Sequence, residues 1–111
     1  MFKIDGLDIS LISGDDGVLV VDMVDIKLLE GDYAILSIRK ISQSGSRGDL
    51  LAQAIETADL ENNRFLWSFL HADTVEYPDG TYKWQVEFVL ADEHRILEPG
   101  DFKVAKAVSQ E

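Results

Sequence analysis

The chain has 111 residues and a formal net charge of −11, with 21 acidic residues against 10 basic ones. With 46% hydrophobic and 28% charged residues it has the composition of an ordinary folded domain, and its length fits a single domain over residues 1–111. The lysines and arginines are scattered, which argues against nucleic acid and anionic membranes as partners, and the absence of cysteine excludes thiolate nucleophiles and zinc–thiolate or iron–sulfur sites.

Apolar residues recur at every second position in most segments of the chain, and this period predicts short β-strands with one buried face. The predicted inward positions are, in chain order, Leu7, Ile9, Leu11, Leu19, Val21, Met23, Ala34, Leu36, Ile38, Phe65, Trp67, Phe69, Tyr82, Trp84, Val86, Phe88, Leu90, Phe102 and Val104. Clusters of Gly, Asn, Asp and Pro separate these runs and are typical of turns, including Pro99-Gly100 before the last strand. Six or seven short strands at this spacing indicate a β-sandwich or a barrel.

Residues 49–60, DLLAQAIETADL, fit two different structures. Asp49 is placed to cap a helix, and apolar residues fall at helical spacing at Leu50, Leu51, Ala54, Ile55 and Ala58. The strand interpretation needs only Leu51, Gln53 and Ile55 on one face. We predict a strand, because a sandwich requires one here and sheet pairing often overrides local propensity.

The stretch YPDGTYKW, residues 77–84, predicts a structural corner. Pro78 and Asp79 suit the centre of a tight turn, and Gly80 can take a positive φ as the chain enters the next strand. In immunoglobulin-like sandwiches a tyrosine in the place of Tyr82 turns its ring into the core and its hydroxyl back to upstream backbone. Trp84 stands where such domains often carry a core cysteine, and its indole can fill that volume.

Several stretches resemble small immunoglobulin-like phage and prophage proteins, similar to the N-terminal module of phage baseplate upper proteins. The resembling features are Gly31-Asp32 before a strand, Asp73-Thr74, the GTYKW corner and the closing GDFKV, and the likeness covers nearly the whole chain. The resemblance implies an immunoglobulin-like antiparallel β-sandwich of about seven strands. It also implies a non-enzymatic structural or adaptor module of a phage or prophage tail or baseplate.

The resemblance further implies where such a protein works and what it contacts. We expect it in the virion, in the tail or baseplate, and in the bacterial cytoplasm before assembly. Its partners would be other phage structural proteins or copies of itself, with no cofactor. Because the given sequence ends soon after the last predicted strand, we expect no larger receptor-binding or coiled-coil part of the kind known from baseplate relatives, and no direct host recognition.

Two short motifs have alternative interpretations. The acidic turn GDDG, residues 14–17, lies near Asp22 and Asp25 and could supply oxygens to calcium, but it lacks the ligand ladder of an EF-hand loop, so a solvated turn is the favoured interpretation. The tripeptide at residues 47–49, RGD, is presented to integrins by some surface proteins. Because short motifs often match by chance, we interpret it as part of a Gly/Ser-rich loop.

Catalytic chemistry finds little support in the sequence. His71 and His94 are the only histidines, fall in separate predicted loops and lack the short spacing of metal sites. Either could pair with a carboxylate, but with 21 acids such a pair would arise by accident. The sequence has no nucleophile elbow, phosphate-binding glycine loop or zinc-protease helix motif. We predict that the protein is not an enzyme and holds no metal.

The second hypothesis for function is a carbohydrate-binding or adhesion module on a phage or cell surface. It requires exposed aromatic rings, and Trp67, Trp84 and Tyr77 are the candidates. Both tryptophans share the parity of the predicted core, so core filling is the favoured interpretation for them. Tyr77 lies in a predicted loop and is a candidate contact residue.

Apolar residues at outward positions of predicted strands are candidates for a partner-facing surface. They are Ile35, Leu66, Leu70 and Val89, to which Tyr77 is added from the loop. The alternative is that they are scattered surface residues or belong to the other face of the core.

Overall fold

The computed structural model describes residues 2–5, 8–24, 26–41, 47–91 and 93–105. Within these ranges the elements are β1 (Lys3–Asp5), β2 (Asp8–Ile12), β3 (Gly17–Asp22), β4 (Tyr33–Ile41), β5 (Arg47–Thr57), β6 (Arg64–Phe69), α1 (His71–Thr74), β7 (Gly80–Val89) and β8 (His94–Ala105). One sheet has six strands in the order β1-β2-β8-β7-β4-β5, and the other contains β3 and β6. The fold is an all-β sandwich, as the sequence predicted.

The two layers differ in width and one strand pair differs in direction from the expected arrangement. β2 runs parallel to β8, with Ile9 opposite Phe102 and Leu11 opposite Val104, whereas all other pairs of described strands are antiparallel. The prediction of a wholly antiparallel sandwich is therefore wrong at this pair. Alternation within a strand reports which face is buried, but it carries no information about the direction of the neighbouring strand.

The core lies between the layers and is made by the positions that the alternation marked as inward. Of those, Leu7 lies outside the described residues, Val21, Met23 and Leu90 are partly buried against the core, and the remaining ones are buried. Rings of β6 meet rings of the wide sheet. Phe65 lies 5.6 Å from Phe88 and Phe69 lies 5.8 Å from Phe102, measured between ring centroids. Burial of these aromatic surfaces holds the two layers together.

The strand predicted for residues 49–60 is confirmed over residues 49–57, since β5 ends at Thr57 and pairs with β4 from Tyr33 opposite Thr57 to Ile41 opposite Arg47. The segment is a strand despite its helical spacing because its backbone groups form hydrogen bonds with β4. Two irregularities in the register accommodate this pairing. Ala52 and Ala54 stand opposite the inward residues Ile38 and Leu36, where small side chains fit at the edge of the core.

The last strand is longer than predicted. β8 begins at His94, so Pro99 and Gly100 lie inside a strand and not in a turn. The register between β7 and β8 is irregular between Trp84 and Val86, which places the proline beside a bulge. Proline is tolerated within sheets at such positions because a bulge leaves an N–H out of the ladder.

Truncation of a ring between the layers tests this packing. We expect Phe65→Ala to lower the free energy of unfolding by about 3–5 kcal/mol, because Phe65 is fully buried and contacts Trp67 and Phe88. As a control, Val24→Ala removes methyl groups from a side chain that is 88% exposed and should change stability by less than about 0.5 kcal/mol. Urea denaturation measures both. Equal effects of the two substitutions would contradict the proposed core.

Candidate interaction surfaces

The corner at residues 77–84 forms as the sequence suggested. The hydroxyl of Tyr82 donates a hydrogen bond of 2.7 Å to the carbonyl oxygen of Pro78, and the ring of Tyr82 is buried. Gly80 takes a φ of 147°, a conformation that side-chain-bearing residues rarely adopt. Pro78 and Asp79 are exposed, and Trp84, two residues after Tyr82, is buried. The corner therefore fixes how β7 enters the wide sheet.

The motif Gly31-Asp32 ties three segments together ahead of β4. Gly31 has a φ of 94°, and Asp32 is buried. The carboxylate of Asp32 accepts hydrogen bonds from the N–H groups of Leu29 at 2.8 Å and Ala91 at 2.9 Å. The backbone carbonyl oxygen of Asp32 accepts a third hydrogen bond, from the N–H of Ala58. The motif therefore stabilises the fold by connecting these segments through hydrogen bonds.

The acidic turn at residues 14–17 docks against α1. The fully buried Thr74 donates its hydroxyl to the carbonyl oxygen of Asp15 at 2.6 Å. Asp15 accepts a hydrogen bond from the N–H of Ile12, and Asp16 accepts one from the N–H of His71. Asp25 lies outside the described residues. Over the part of the chain that is described, no group of three or more His, Cys, Asp or Glu side chains is placed to hold a metal ion.

The histidines do not share a site. His71 begins α1, and its Nδ1 lies 2.7 Å from the carbonyl oxygen of Gly14. His94 begins β8, on the outer face of the wide sheet, with its Nε2 2.5 Å from a carboxylate oxygen of Glu87. The prediction that both occupy loops is therefore wrong. The pair of His94 and Glu87 is partly solvent-exposed.

The RGD tripeptide opens a strand. Residues 47–49 begin β5, contrary to the loop expected from the sequence, and the placement of their side chains lies outside what is described.

The aromatic platform required by the carbohydrate hypothesis is not formed by the tryptophans. Trp67 is 1% exposed and Trp84 is 5% exposed, so neither ring face is available to a sugar. Tyr77 is half-buried and packs edge-on against Phe102, with ring centroids 6.2 Å apart.

The five candidate partner contacts lie on three different parts of the surface. Ile35 and Val89 are half-buried on the outer face of the six-stranded sheet, and Leu66 is half-buried on the outer face of the two-stranded sheet. Leu70 is exposed and precedes α1, and Tyr77 follows α1. Outward parity was correctly assigned for the strand residues, but their dispersal over two sheets means that they do not form one patch.

Two further isoleucines, which the sequence did not point to, lie in one row with Ile35 across the outer face of the wide sheet. Ile55 stands opposite Ile35 and is 62% exposed, and Glu87 separates Ile35 from Ile96, which is 54% exposed. Ile96 was missed because β8 was predicted to begin later. The sequence places Ile55 on one face of the weaker strand pattern. Only the pairing of β5 with β4 shows that Ile55 lies on the exposed face of the sheet.

A fork forms where β5 and β6 separate into different sheets. At its closed end, backbone hydrogen bonds of 2.8 and 3.2 Å join Asp59 and Arg64. Further along, the indole N–H of Trp67 donates to the carbonyl oxygen of Ala54 at 3.2 Å. A groove of about 490 Å³ lies between the two strands, and we call it the fork groove.

The walls of the fork groove are strand edges. Residues 51–54 of β5 and 67–69 of β6 line it, above a floor that includes Leu36 and Ile38. Side chains of neighbouring strand residues point to opposite faces, so consecutive residues can line one groove only where the edge of the backbone faces it. Among the described strands β5 pairs with β4 alone and β6 with β3 alone. Apart from the carbonyl oxygen of Ala54, which accepts the indole N–H of Trp67, the facing edges of β5 and β6 are therefore unpaired with any described strand.

Carboxylates stand beside this groove. Asp73 and Glu76 line it together with Tyr77, and the described residues that line it include no lysine or arginine. Burial raises the pKa of Tyr77, and the negative charge of Asp73 acts in the same direction.

No model of a known protein family matches the sequence, and no match is found among curated proteins. None of the helices in the described ranges has the length and apolar character needed to cross a membrane.

Removal of one hydroxyl tests the corner. We expect Tyr82→Phe to lower the free energy of unfolding by about 1 kcal/mol, because it deletes the hydrogen bond to Pro78 and keeps the buried ring. The matched control is Tyr33→Phe, which removes a hydroxyl from a half-exposed ring and should change stability by less than about 0.5 kcal/mol. A Tyr82→Phe variant as stable as the wild type would contradict the structural role of the hydroxyl.

The difference in unfolding free energy between the wild type and Tyr82→Phe should also depend on pH. Burial raises the pKa of Tyr82 above its ordinary value of 10.0, and the charge of Asp79 adds to the effect. The folded state thus favours the neutral phenol, so its contribution to stability is complete below about pH 10 and is lost as the pH rises through the raised pKa. The stability advantage of the wild type over Tyr82→Phe should shrink above about pH 10. A difference in unfolding free energy that stays constant up to about pH 11 would contradict this.

Proposed function

We propose that the protein is a non-enzymatic structural or adaptor module of a phage or prophage tail or baseplate, built on an immunoglobulin-like sandwich and acting through protein–protein contacts. The observation that carries the proposal is the fork, where two strand edges face one groove. Open edges carry backbone N–H and C=O groups that another chain can pair with, and a sandwich presents them on a rigid frame.

The immunoglobulin-like part of the proposal rests on topology and on the corner. In immunoglobulin-like domains, strands C, F and G share one sheet and strands B and E share the other. Here β4, β7 and β8 are neighbours in one sheet and β3 pairs with β6 in the other. The bond from Tyr82 to Pro78 at the start of β7 matches the tyrosine corner of that fold.

The phage part of the proposal rests on the sequence resemblance and on what the resembling motifs do here. Gly31-Asp32 joins three segments, Thr74 anchors the acidic turn, and Tyr82 closes the corner. In the GDFKV stretch, Asp101 donates its N–H to Asp8 and accepts a bond from Lys83. Each of these motifs therefore supports the frame of the sandwich. The surface with which the protein binds a partner would lie outside these motifs.

The surfaces left for partners are of two kinds. The fork offers backbone edges. The outer face of the wide sheet offers a row across its strands, in which Ile55 and Ile35 are neighbours and Glu87 separates them from Ile96. A different tail protein could use either surface, and identical copies around a symmetry axis could use the outer face of the wide sheet.

The location of the protein in particles tests the proposal. Phage particles produced by the encoding bacterium should contain the chain, and immunogold electron microscopy should place it at the tail or baseplate. Particles from a strain in which the gene is deleted serve as the control and should have defective tails. Purified particles with complete tails that lack the chain would contradict the proposal. Binding of the pure protein to cell-wall polysaccharide, with no protein in the particles, would favour the carbohydrate-binding alternative.

A further inference from the structure

We propose that the fork groove binds an extended peptide segment that carries a lysine or arginine, and that this segment lies as an added strand between β5 and β6. The inference rests on the proposed function, because it names the kind of partner that such an adaptor would hold. The occupant is a segment of another protein, recognised through its backbone and one basic side chain.

The geometry of the groove suits an extended chain. Its walls are residues 51–54 and 67–69, which at about 3.3 Å per residue give room for about three to four residues of a strand. Both walls present backbone edges, and only the carbonyl oxygen of Ala54 is already occupied, by the indole N–H of Trp67. A strand in the groove can therefore pair with β6, or with β5 on the side of Ala52. Main-chain hydrogen bonds supply affinity in this mode of binding, and alternate side chains supply specificity.

The floor of the groove and the small residues of its β5 wall determine which side chains of the occupant can point inward. Leu36 and Ile38 are buried beneath the groove, and Ala52 and Ala54 are the small residues of the β5 wall. Leu36 and Ile38 are already out of water, so an apolar side chain of the occupant would bury the surface that Ala52 and Ala54 still expose. Alternation then turns the next side chain of the occupant toward solvent.

Charge selects among the conceivable occupants. Asp73 and Glu76 line the groove and no lysine or arginine lines it among the described residues. The whole chain carries a net charge of −11, which adds a field of the same sign. A basic side chain is therefore attracted to the groove and an acidic one is repelled.

A second copy of this chain fits the groove poorly. In a two-fold symmetric contact the same surface meets itself, so Asp73 and Glu76 of one copy would approach those of the other. A sugar fits poorly as well, since Trp67 is buried and its indole N–H already binds Ala54. Both remain outcomes that the experiment can return.

The experiment is a selection from a library of random dodecapeptides displayed on the surface of a carrier, with the full-length protein as the target. We expect enriched peptides with alternating apolar residues and at least one lysine or arginine. A synthetic enriched peptide should shift the amide resonances of residues 51–54 and 67–69. Methylation of its backbone nitrogens should abolish binding, because a strand without N–H donors cannot pair with an edge.

Two variants and one control connect binding to the groove. The isosteric double variant Asp73→Asn, Glu76→Gln should weaken the peptide about three- to tenfold, and added salt should reduce the difference. Ala52→Phe should block binding by filling the groove, with retention of the wild-type fold checked by circular dichroism. The control Glu30→Gln, Glu61→Gln makes the same change in charge at exposed positions that do not line the groove, and should leave the affinity within about twofold.

The results separate this inference from the proposed function. Peptides that are acidic, that tolerate backbone methylation or that bind the Ala52→Phe variant unchanged would overturn the inference, and so would the enrichment of no peptide. Assembly through copies of the chain at the groove would overturn it too, and would appear in light scattering as an oligomer that Ala52→Phe dissociates. If the chain is nevertheless found in phage tails, the proposed function stands and only the groove assignment fails.

Discussion

Contact between aromatic rings of two unequal sheets is the constraint on which the structure depends. The narrow sheet has only β3 and β6, and it covers the wide sheet through Phe65 and Phe69. All five phenylalanines of the chain take part in ring contacts, which join Phe65 to Phe88 and link Phe2 through Phe69 to Phe102. Because apolar burial is the main favourable term in folding, these rings fix which faces of the two sheets meet.

The unequal widths of the sheets have a direct consequence for function. Two strands cannot cover six, so the wide sheet extends past the narrow one at β5. Trp67 bridges part of this gap by reaching Ala54, and the Asp59–Arg64 pair closes one end. What is left uncovered is the fork groove, in which the open edges of β5 and β6 face each other. The features that support the proposed adaptor role thus follow from the way the core is built.

The sequence was sufficient to predict what depends on local periodicity. The inward faces of the strands, the corner at Tyr82 and a strand within residues 49–60 could all be obtained from alternation, turn chemistry and the needs of a sandwich, although the strand ends at Thr57. The start of β8 could not, because Pro99-Gly100 has the composition of a turn and only the bulge opposite β7 explains its place in a strand. The parallel pairing of β2 with β8 was equally beyond the pattern, since it is a long-range choice of neighbour.

The candidate surfaces were less predictable than the core, for a physical reason. Parity showed that Ile35, Leu66 and Val89 point outward, but the sheet that each strand joins decides whether they share a surface. Ile35 and Val89 lie on the wide sheet, whereas Leu66 lies on the narrow one. Prediction of the fork groove would have required the knowledge that β5 and β6 separate after a single backbone pair, Asp59 with Arg64. Long-range pairing therefore determines the interaction surfaces, whereas local pattern determines the frame.

Nuclear Overhauser contacts in a sample labelled only at phenylalanine measure the interlayer packing most directly. We expect ring-to-ring contacts between Phe65 and Phe88, between Phe69 and Phe102, and between Phe2 and Phe69. A spectrum in which the rings of β6 show no contact with those of β7 and β8 would contradict the two-layer core, and with it the fork that the core leaves open.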